Sequence, residues 1–378
     1  MPSHLDTMNT SMEAPSNDTP ICYSINNPPF KIVPTIASAY FSSIFSVLGI
    51  TSNLVAFVVL VKSFQRTRSS SRSSFLIFLG GLVVTDFMGL VVTGSIVVSF
   101  HVTHFNWRNL DPHCHFCNFM GMSMVFYGLC PLLLGAAMAL ERFIGITRPF
   151  ARTTTMPKKR TVFILLLVWF IASCIASLPL TGVGSYHMQI PGSWCFFNIS
   201  SEGSDLTFSV LFSMVGLTCI AVSFVLNTVS VVTLIKVCCG QDKMQRPRDQ
   251  EVEMMVQLIL IMAIASICWC PMLVFIAQTV LSGRPLQVTY LLLWLRFASW
   301  NQILDPWVYI LFRRAVLQRV YPHMDWSRWS TLNQSFRSTI NRLTHSSSLG
   351  RPLSSDEMGQ NEKLNETPLT LESHYLDG

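Results

Sequence analysis

Five ionisable side chains are embedded in long apolar runs: Asp86, the pair Glu141-Arg142, Arg296 and Asp305. Charge placed in hydrocarbon is expensive, so each of these positions is by default functional. Arg296 is the most informative. It precedes Asp305 by nine residues, about 13 Å on a helix rising roughly 1.5 Å per residue. The outer halves of the other apolar runs offer it no obvious carboxylate. A guanidinium in such a setting can receive a ligand carboxylate through two parallel hydrogen bonds. Its other possible use is to snorkel toward interfacial water or headgroups. Helical phase does not choose between them, since nine residues turn Arg296 roughly 180° from Asp305.

The run from Cys117 to Leu140 has no acidic residue, so it offers no counter-ion to an amine. The run 288–312 has no Lys to hold retinal as a Schiff base. What remains is a cationic, otherwise apolar site that suits an anionic lipid.

Such residues need a scaffold that keeps them inside a bilayer. Half of the 378 residues are hydrophobic and only 12% are charged, against about 25% charged in soluble domains. Seven segments have the roughly 20 apolar residues that a crossing helix needs: 34–61, 75–100, 117–141, 161–183, 205–236, 251–281 and 288–312. Pro131, Pro179, Pro271 and Pro306 fall inside them, which membrane helices tolerate because neighbours satisfy the freed backbone. The loops after the first, third and fifth segments, counted with Lys236 at the end of the fifth, hold fourteen Lys and Arg, against three on the opposite side. Positive loops stay in the cytoplasm, so the N-terminus is expected outside. This placement explains the net charge of +6 without nucleic acid. The first 30 residues lack an apolar leader, so no removable signal peptide is expected.

The expected organisation is an extracellular tail over 1–33, an all-α seven-transmembrane bundle over 34–312, a short amphipathic eighth helix on the membrane over 313–322, and a disordered cytoplasmic tail over 323–378. Ser346, Ser347, Ser348, Ser354 and Ser355 in that tail are candidate phosphorylation sites. The topology makes three glycosylation sequons usable: Asn9, Asn17 and Asn198. Cys22, Cys114, Cys117 and Cys195 fall outside, where disulfides persist. Four cysteines allow three connectivities, and sequence alone does not choose among them. Cys238 and Cys239, at the inner end of the fifth segment, are candidates for palmitoylation.

Motifs along the chain carry a resemblance. Asn53, Leu82-Val83-Val84-Thr85-Asp86, Glu141-Arg142-Phe143, Trp169, Cys268-Trp269-Cys270-Pro271 and Asp305-Pro306-Trp307-Val308-Tyr309 resemble, in order, the polar anchors of rhodopsin-like G-protein-coupled receptors. Within that class, Ile190-Pro191-Gly192-Ser193-Trp194-Cys195-Phe196, Leu295-Arg296-Phe297 and the run from Trp300 to Trp307 resemble prostanoid receptors. The runs Gln245 to Met255 and Arg142 to Phe150 look most like the thromboxane-type members. The resemblance covers nearly all of 35–320.

It implies a carboxylate-bearing prostanoid lipid as ligand, a heterotrimeric G protein of the q/11 or 12/13 classes as partner, and arrestin and receptor kinases acting later. It places the chain in the plasma membrane among lipid. By resemblance, Arg296 would bind the carboxylate, and Ser193, Trp194 and Phe196 would form a lid. Thr93 and His101 would line a polar entrance; Met124, Leu292, Leu295 and Trp269 would hold the apolar chains. Without the resemblance, Trp194 and Phe196 would be taken as aromatic anchors at the bilayer interface. It also implies the pairings Cys117–Cys195 and Cys22–Cys114, a role in activation for Glu141, Arg142, Asp86, Asp305 and Tyr309, and a sodium ion near Asp86.

Asp305 and Phe143 stand where many rhodopsin-like receptors have Asn and Tyr. The fifth segment lacks the usual Pro and the usual inner Tyr. Ligand held by Arg296 above Trp269 would shift the population toward an outward setting of the sixth helix, flexed at Pro271. Two other classes compete with this reading. A transporter of organic anions would show inverted repeats, and none is found. An intramembrane enzyme would need a nucleophile beside a base, and the segments contain none. Another prostanoid subtype remains the alternative within the family.

Overall fold

The structure is a computed structural model that describes residues 21–23, 39–67, 70–103, 106–147, 158–190, 192–239 and 249–312. The chain divides into two units, Met1–Pro322 and His323–Gly378, and every described residue lies in the first. Asn9, Asn17, the expected eighth helix and the tail lie outside the described residues.

All seven apolar segments form long helices: α1 (Ala39–Arg66), α2 (Ser70–Thr103), α3 (His115–Thr147), α4 (Lys158–Ser177), α5 (Gly203–Cys239), α6 (Asp249–Leu281) and α7 (Val288–Leu311). Six are long and apolar enough to cross a membrane. The exception is α7, where Arg296, Asn301, Gln302 and Asp305 thin the apolar content. Pro131, Pro271 and Pro306 lie inside their helices. Pro179 ends one. The segment expected to continue to 183 leaves the α-helix after Ser177 and finishes as a 3-10 turn, Leu178–Thr181, closed by Gly182 at φ 95°. A proline there has no N–H to donate to the preceding turn.

In the bundle, α3 touches α2, α4, α5 and α6, while α1 packs on α2 and α7. Glycines permit two of the closest approaches. A Cβ on Gly128 would lie 2.8 Å from the indole of Trp269, and one on Gly121 would lie 2.3 Å from the ring of Tyr186. The core forms an outer cluster around Met120, Trp269 and Phe212 and an inner one around Leu79, Leu134 and Leu258. The opposite faces are greasy: Phe163, Phe170 and Phe224 are 64%, 65% and 70% exposed. A girdle of this kind is solvated by lipid, not water.

Side chains that are polar yet buried tie the helices together. Asn53 donates to the carbonyls of Gly49 and Gln302, both at 2.9 Å, joining α1 to α7. Trp169 Nε1 donates to Thr85 Oγ1 at 3.1 Å, joining α4 to α2. Between α4 and α5 the chain makes an antiparallel hairpin of β1 (Tyr186–Gln189) and β2 (Trp194–Phe197), with Tyr186 opposite Phe197 and Gln189 opposite Trp194. Gly192, at φ 91°, supplies the left-handed residue of its turn.

Candidate functional site

Close approaches set the depth of each residue. Gly89 of α2 meets both Tyr127 of α3 and Gln302 of α7, so the three share a level. Counting roughly 1.5 Å per residue outward from it, Thr93 stands about 6 Å higher, Met124 about 4.5 Å and Arg296 about 9 Å. Trp269 lies against Gly128, at the bottom of this layer. Leu295 and Leu292 lie on α7 beside and above Arg296. Cys117 is about 16 Å above Gly128 by the same rise. Arg296, Thr93, Met124 and Leu295 therefore lie between the Trp269 floor and the level where the hairpin is anchored, and Leu292, ten residues outward of Gln302, stands at that anchor level. His101, about two turns beyond Thr93, lies further out, its ring edge-on to Phe100 at 5.7 Å.

The hairpin is the roof of this layer, clamped covalently. Cys117 at the outer start of α3 is bonded to Cys195 of β2, with Cα atoms 5.4 Å apart. Cys22 is bonded to Cys114, with Cα atoms 6.1 Å apart. Around the second bond, Tyr23 Oη donates to the Asp111 carbonyl at 2.7 Å, and Asp111 Oδ2 accepts from the Cys117 amide at 2.9 Å. Burial first, then the Asp111 carboxylate, pushes the Tyr23 phenol up to about 12.

Trp194 and Phe196 are covered by the protein itself. Both are buried, their rings 5.9 Å apart, and Phe196 meets Phe212 of α5 edge-on at 6.1 Å. They share one cluster with Trp269 and Leu292, against which Met124 and Leu295 pack. Ser193 is buried beside them in sequence. An interfacial anchor would expose these rings to lipid, whereas all four residues of β2 are buried, on both faces of the strand. Asp205 holds the hairpin base to α5, accepting from Ser185 Oγ at 2.8 Å and from Asn198 Nδ2 at 2.7 Å.

Arg296 is half-buried, and its Nη2 donates to Ser42 Oγ of α1 at 2.8 Å. Sequence reading missed Ser42. The two residues are 254 positions apart, and the only local signal is a buried serine at the outer end of an apolar run. A guanidinium presents five donors, more than a single hydroxyl can accept.

The inner half has its own polar set. Arg142 Nη2 pairs with Glu141 Oε2 at 2.8 Å, and the guanidinium lies 5.4 Å from the centroid of Phe75. Asp305 Oδ2 accepts from Asn301 Nδ2 at 2.9 Å. Asp86 is fully buried, near enough to Asp305 for the two carboxylates to interact. Both Asp86 oxygens, Asp305 Oδ1 and Asn301 Oδ1 have no hydrogen-bond partner among the described residues. Tyr309 is buried beneath them on α7. Sequence reading also missed Asn227 and Ser230 of α5, both buried with polar atoms lacking a partner among the described residues.

This arrangement can be compared with known proteins. Residues 52–309 match the model of the 7 transmembrane receptor (rhodopsin family). Bovine thromboxane A2 receptor is 56% identical over 76% of this chain and 87% of its own length. The human thromboxane A2 receptor is 52% identical over 80% and 91%, and mouse prostaglandin F2-alpha receptor 41% over 75% and 79%. Among solved structures, squid rhodopsin superposes with a TM-score of 0.58 over 80% of this chain and 93% of its own, at 18% identity, a likeness of fold alone. With its seven helices, clamped hairpin and buried polar anchors, the chain belongs to the rhodopsin family of seven-transmembrane receptors, in the prostanoid receptor branch that holds the thromboxane A2 and prostaglandin F2-alpha receptors.

Proposed function

We propose that this chain is a plasma-membrane receptor for thromboxane A2, with its N-terminus outside, that signals through G proteins of the q/11 and 12/13 classes. The observation that carries the ligand class is the place of Arg296: a half-buried cation above Trp269 and below the level of the Cys117–Cys195 clamp. A fatty-acid carboxylate on Arg296 leaves its chains to Met124, Leu292, Leu295 and Trp269, with Ser193, Trp194 and Phe196 closing the roof and Thr93 and His101 toward the polar entrance. The identities to thromboxane A2 receptors, above those to prostaglandin F2-alpha receptors, favour the first ligand. The fourteen-to-three distribution of basic residues supports the orientation.

Binding favours whichever state holds the ligand better. Ligand resting on Trp269 favours an outward α6, hinged at Pro271, which parts Arg142 from Glu141 and admits the G protein. Asp86, Asp305 and Tyr309 line the path between the two ends. A sodium ion beside Asp86 fits the donor set, since oxygens of Asp86, Asp305 and Asn301 are buried without partners. Arrestin and receptor kinases act on the Ser-rich tail, and Asn9, Asn17 and Asn198 are glycosylated.

The test is a competition panel on membranes carrying the full chain, with nucleotide exchange on added G protein as second readout. A thromboxane mimetic is expected to displace label at lower concentration than the E, F, D and I prostaglandins. A prostaglandin that outcompetes it would assign the chain to another subtype. Silence toward every prostanoid would remove the ligand class.

A further inference from the structure

We propose that His113 and His115, at the outer start of α3, form a binding site for a divalent transition-metal ion, with zinc as its probe. That this end is extracellular rests on the orientation proposed above; the site itself does not.

Backbone sets the two imidazoles. Pro112 fixes one torsion of a tight turn, which the Cys114 amide closes by donating to the Asp111 carbonyl at 3.3 Å. Cys114 then adopts φ 63°, the one left-handed residue other than glycine among the described residues. Its carbonyl accepts from the Asn118 amide at 2.9 Å, which opens α3, and its sulfur is bonded to Cys22. His113 and His115 therefore flank a residue fixed through amide, carbonyl and side chain, so little order remains to be imposed by an ion.

The two ring centroids stand 6.0 Å apart, with planes inclined at 54°. A zinc–nitrogen bond is about 2.0–2.1 Å long, which puts two tetrahedrally placed imidazole centroids about 5.2 Å apart. A small turn about the side-chain bonds closes the difference. Both rings are exposed, and among the described residues neither has a hydrogen-bond partner. A histidine that serves the fold looks different here: His187 is buried and hydrogen-bonded with Ser185 Oγ at 2.9 Å.

Imidazole selects the metal. It suits zinc and copper, whereas calcium and magnesium take oxygen ligands. Two protein ligands leave the other positions to water, so the ion is exchangeable. The dipole of α3 is positive at this end, but the Asp111 carboxylate, accepting from the Cys117 amide at 2.9 Å, offsets it. An ion held across Cys114 braces the segment that leads into the Cys117–Cys195 clamp.

The experiment is equilibrium dialysis of the purified full chain against zinc, with calcium as the control ion. The parent is expected to hold one zinc ion more than either His113→Gln or His115→Gln. Outer-shell partners alone change metal affinity by about 10- to 100-fold, so losing one of two imidazoles should weaken the site at least about a hundredfold. Zinc is expected to raise the melting temperature of the parent and not of the variants; melting without zinc is the fold control. Acylation of the parent by diethyl pyrocarbonate, mapped by mass spectrometry, reads the site without a substitution, and zinc is expected to protect both rings. None of these readouts uses a prostanoid, so failure of the thromboxane assignment would leave them readable. Equal zinc uptake by parent and variants, calcium bound as tightly, or rings acylated as fast with zinc as without would each overturn the site.

Discussion

Replacing Arg296 by Gln tests whether its guanidinium binds a carboxylate or only braces two helices. Hydrogen bonds to charged groups contribute about 1.5–3 kcal/mol, and truncating one partner of a buried charge pair costs roughly 2–5 kcal/mol. Arg296 is half-buried and already donates to Ser42 at 2.8 Å. Solvent screening and that competing bond put the expected loss in the lower part of the range, about 2–3 kcal/mol. That is a fall in affinity of roughly 30- to 150-fold for an acidic prostanoid. The methyl ester of the same ligand has no charge to lose, so it should bind the parent weakly and Arg296→Gln about equally well. Acid and ester on parent and variant complete a double-perturbation cycle with an expected coupling of about 2 kcal/mol. Equilibrium competition on membranes, normalised to surface expression, measures all four corners. Ser42→Ala should shift the acid by less than about tenfold, since one neutral hydrogen bond contributes about 1 kcal/mol. Equal weakening of acid and ester by Arg296→Gln, matched by Ser42→Ala, would refute the carboxylate role and leave Arg296 as a strut from α7 to α1.

Two further outcomes follow from the roof of the bundle. Gly121→Ala would put a methyl 2.3 Å from the Tyr186 ring, which is held at its far end by a 2.7 Å hydrogen bond to the Ala176 carbonyl. Overpacking of this kind costs about 1–3 kcal/mol; a lower melting temperature and weaker ligand binding are expected, both recovered by adding Tyr186→Leu. Tyr23 should stay protonated past its ordinary value of 10 and ionise near 12. The folded state then holds more protons than the unfolded one between those values, so stability falls as pH rises from about 10 to 12, and Tyr23→Phe should flatten that limb in a thermal-shift series.

Much of the scaffold was legible because the bilayer imposes a coarse rule. Runs such as 205–236 can only be helices where no water is available to the backbone, and the observed helices overrun or fall short of the expected ends by a few residues. Pro179 shows where that rule yields, since apolar character continued past it but α-helical bonding did not. The hairpin was less legible. Tyr186–Gln189 and Trp194–Phe197 are four residues each, too short for alternation to stand out, and β2 is buried on both faces, so it has no exposed face to alternate with. Arg296 was found from its charge, but Ser42 could not be, because hydroxyls are cheap enough in a helix to pass unnoticed.

The same cheapness hid a difference between the two halves of the bundle. Gly216 of α5 packs on Leu132 of α3 and Leu273 of α6. Asn227 is eleven residues further inward, three turns and within roughly 20° of the same face; Arg142 is ten residues inward of Leu132. Asn227 therefore faces the interior near the depth of the Glu141-Arg142 pair, and both its amide atoms lack partners among the described residues, as does Ser230 Oγ. An orphaned buried polar group costs about 1–3 kcal/mol, a penalty any packing that satisfies it recovers. The outer half also holds buried indole nitrogens, of Trp194 and Trp269, that lack partners among the described residues. But there the Cys117–Cys195 disulfide, the Asp205 hydrogen bonds and the Phe196–Phe212 contact hold the hairpin to α3 and α5, and the Cys22–Cys114 disulfide closes the chain beside it. A bundle clamped covalently at its roof, with no disulfide among the described residues of its inner end, concentrates rearrangement at the inner end. That is the asymmetry a receptor needs if ligand bound outside is to change the surface inside.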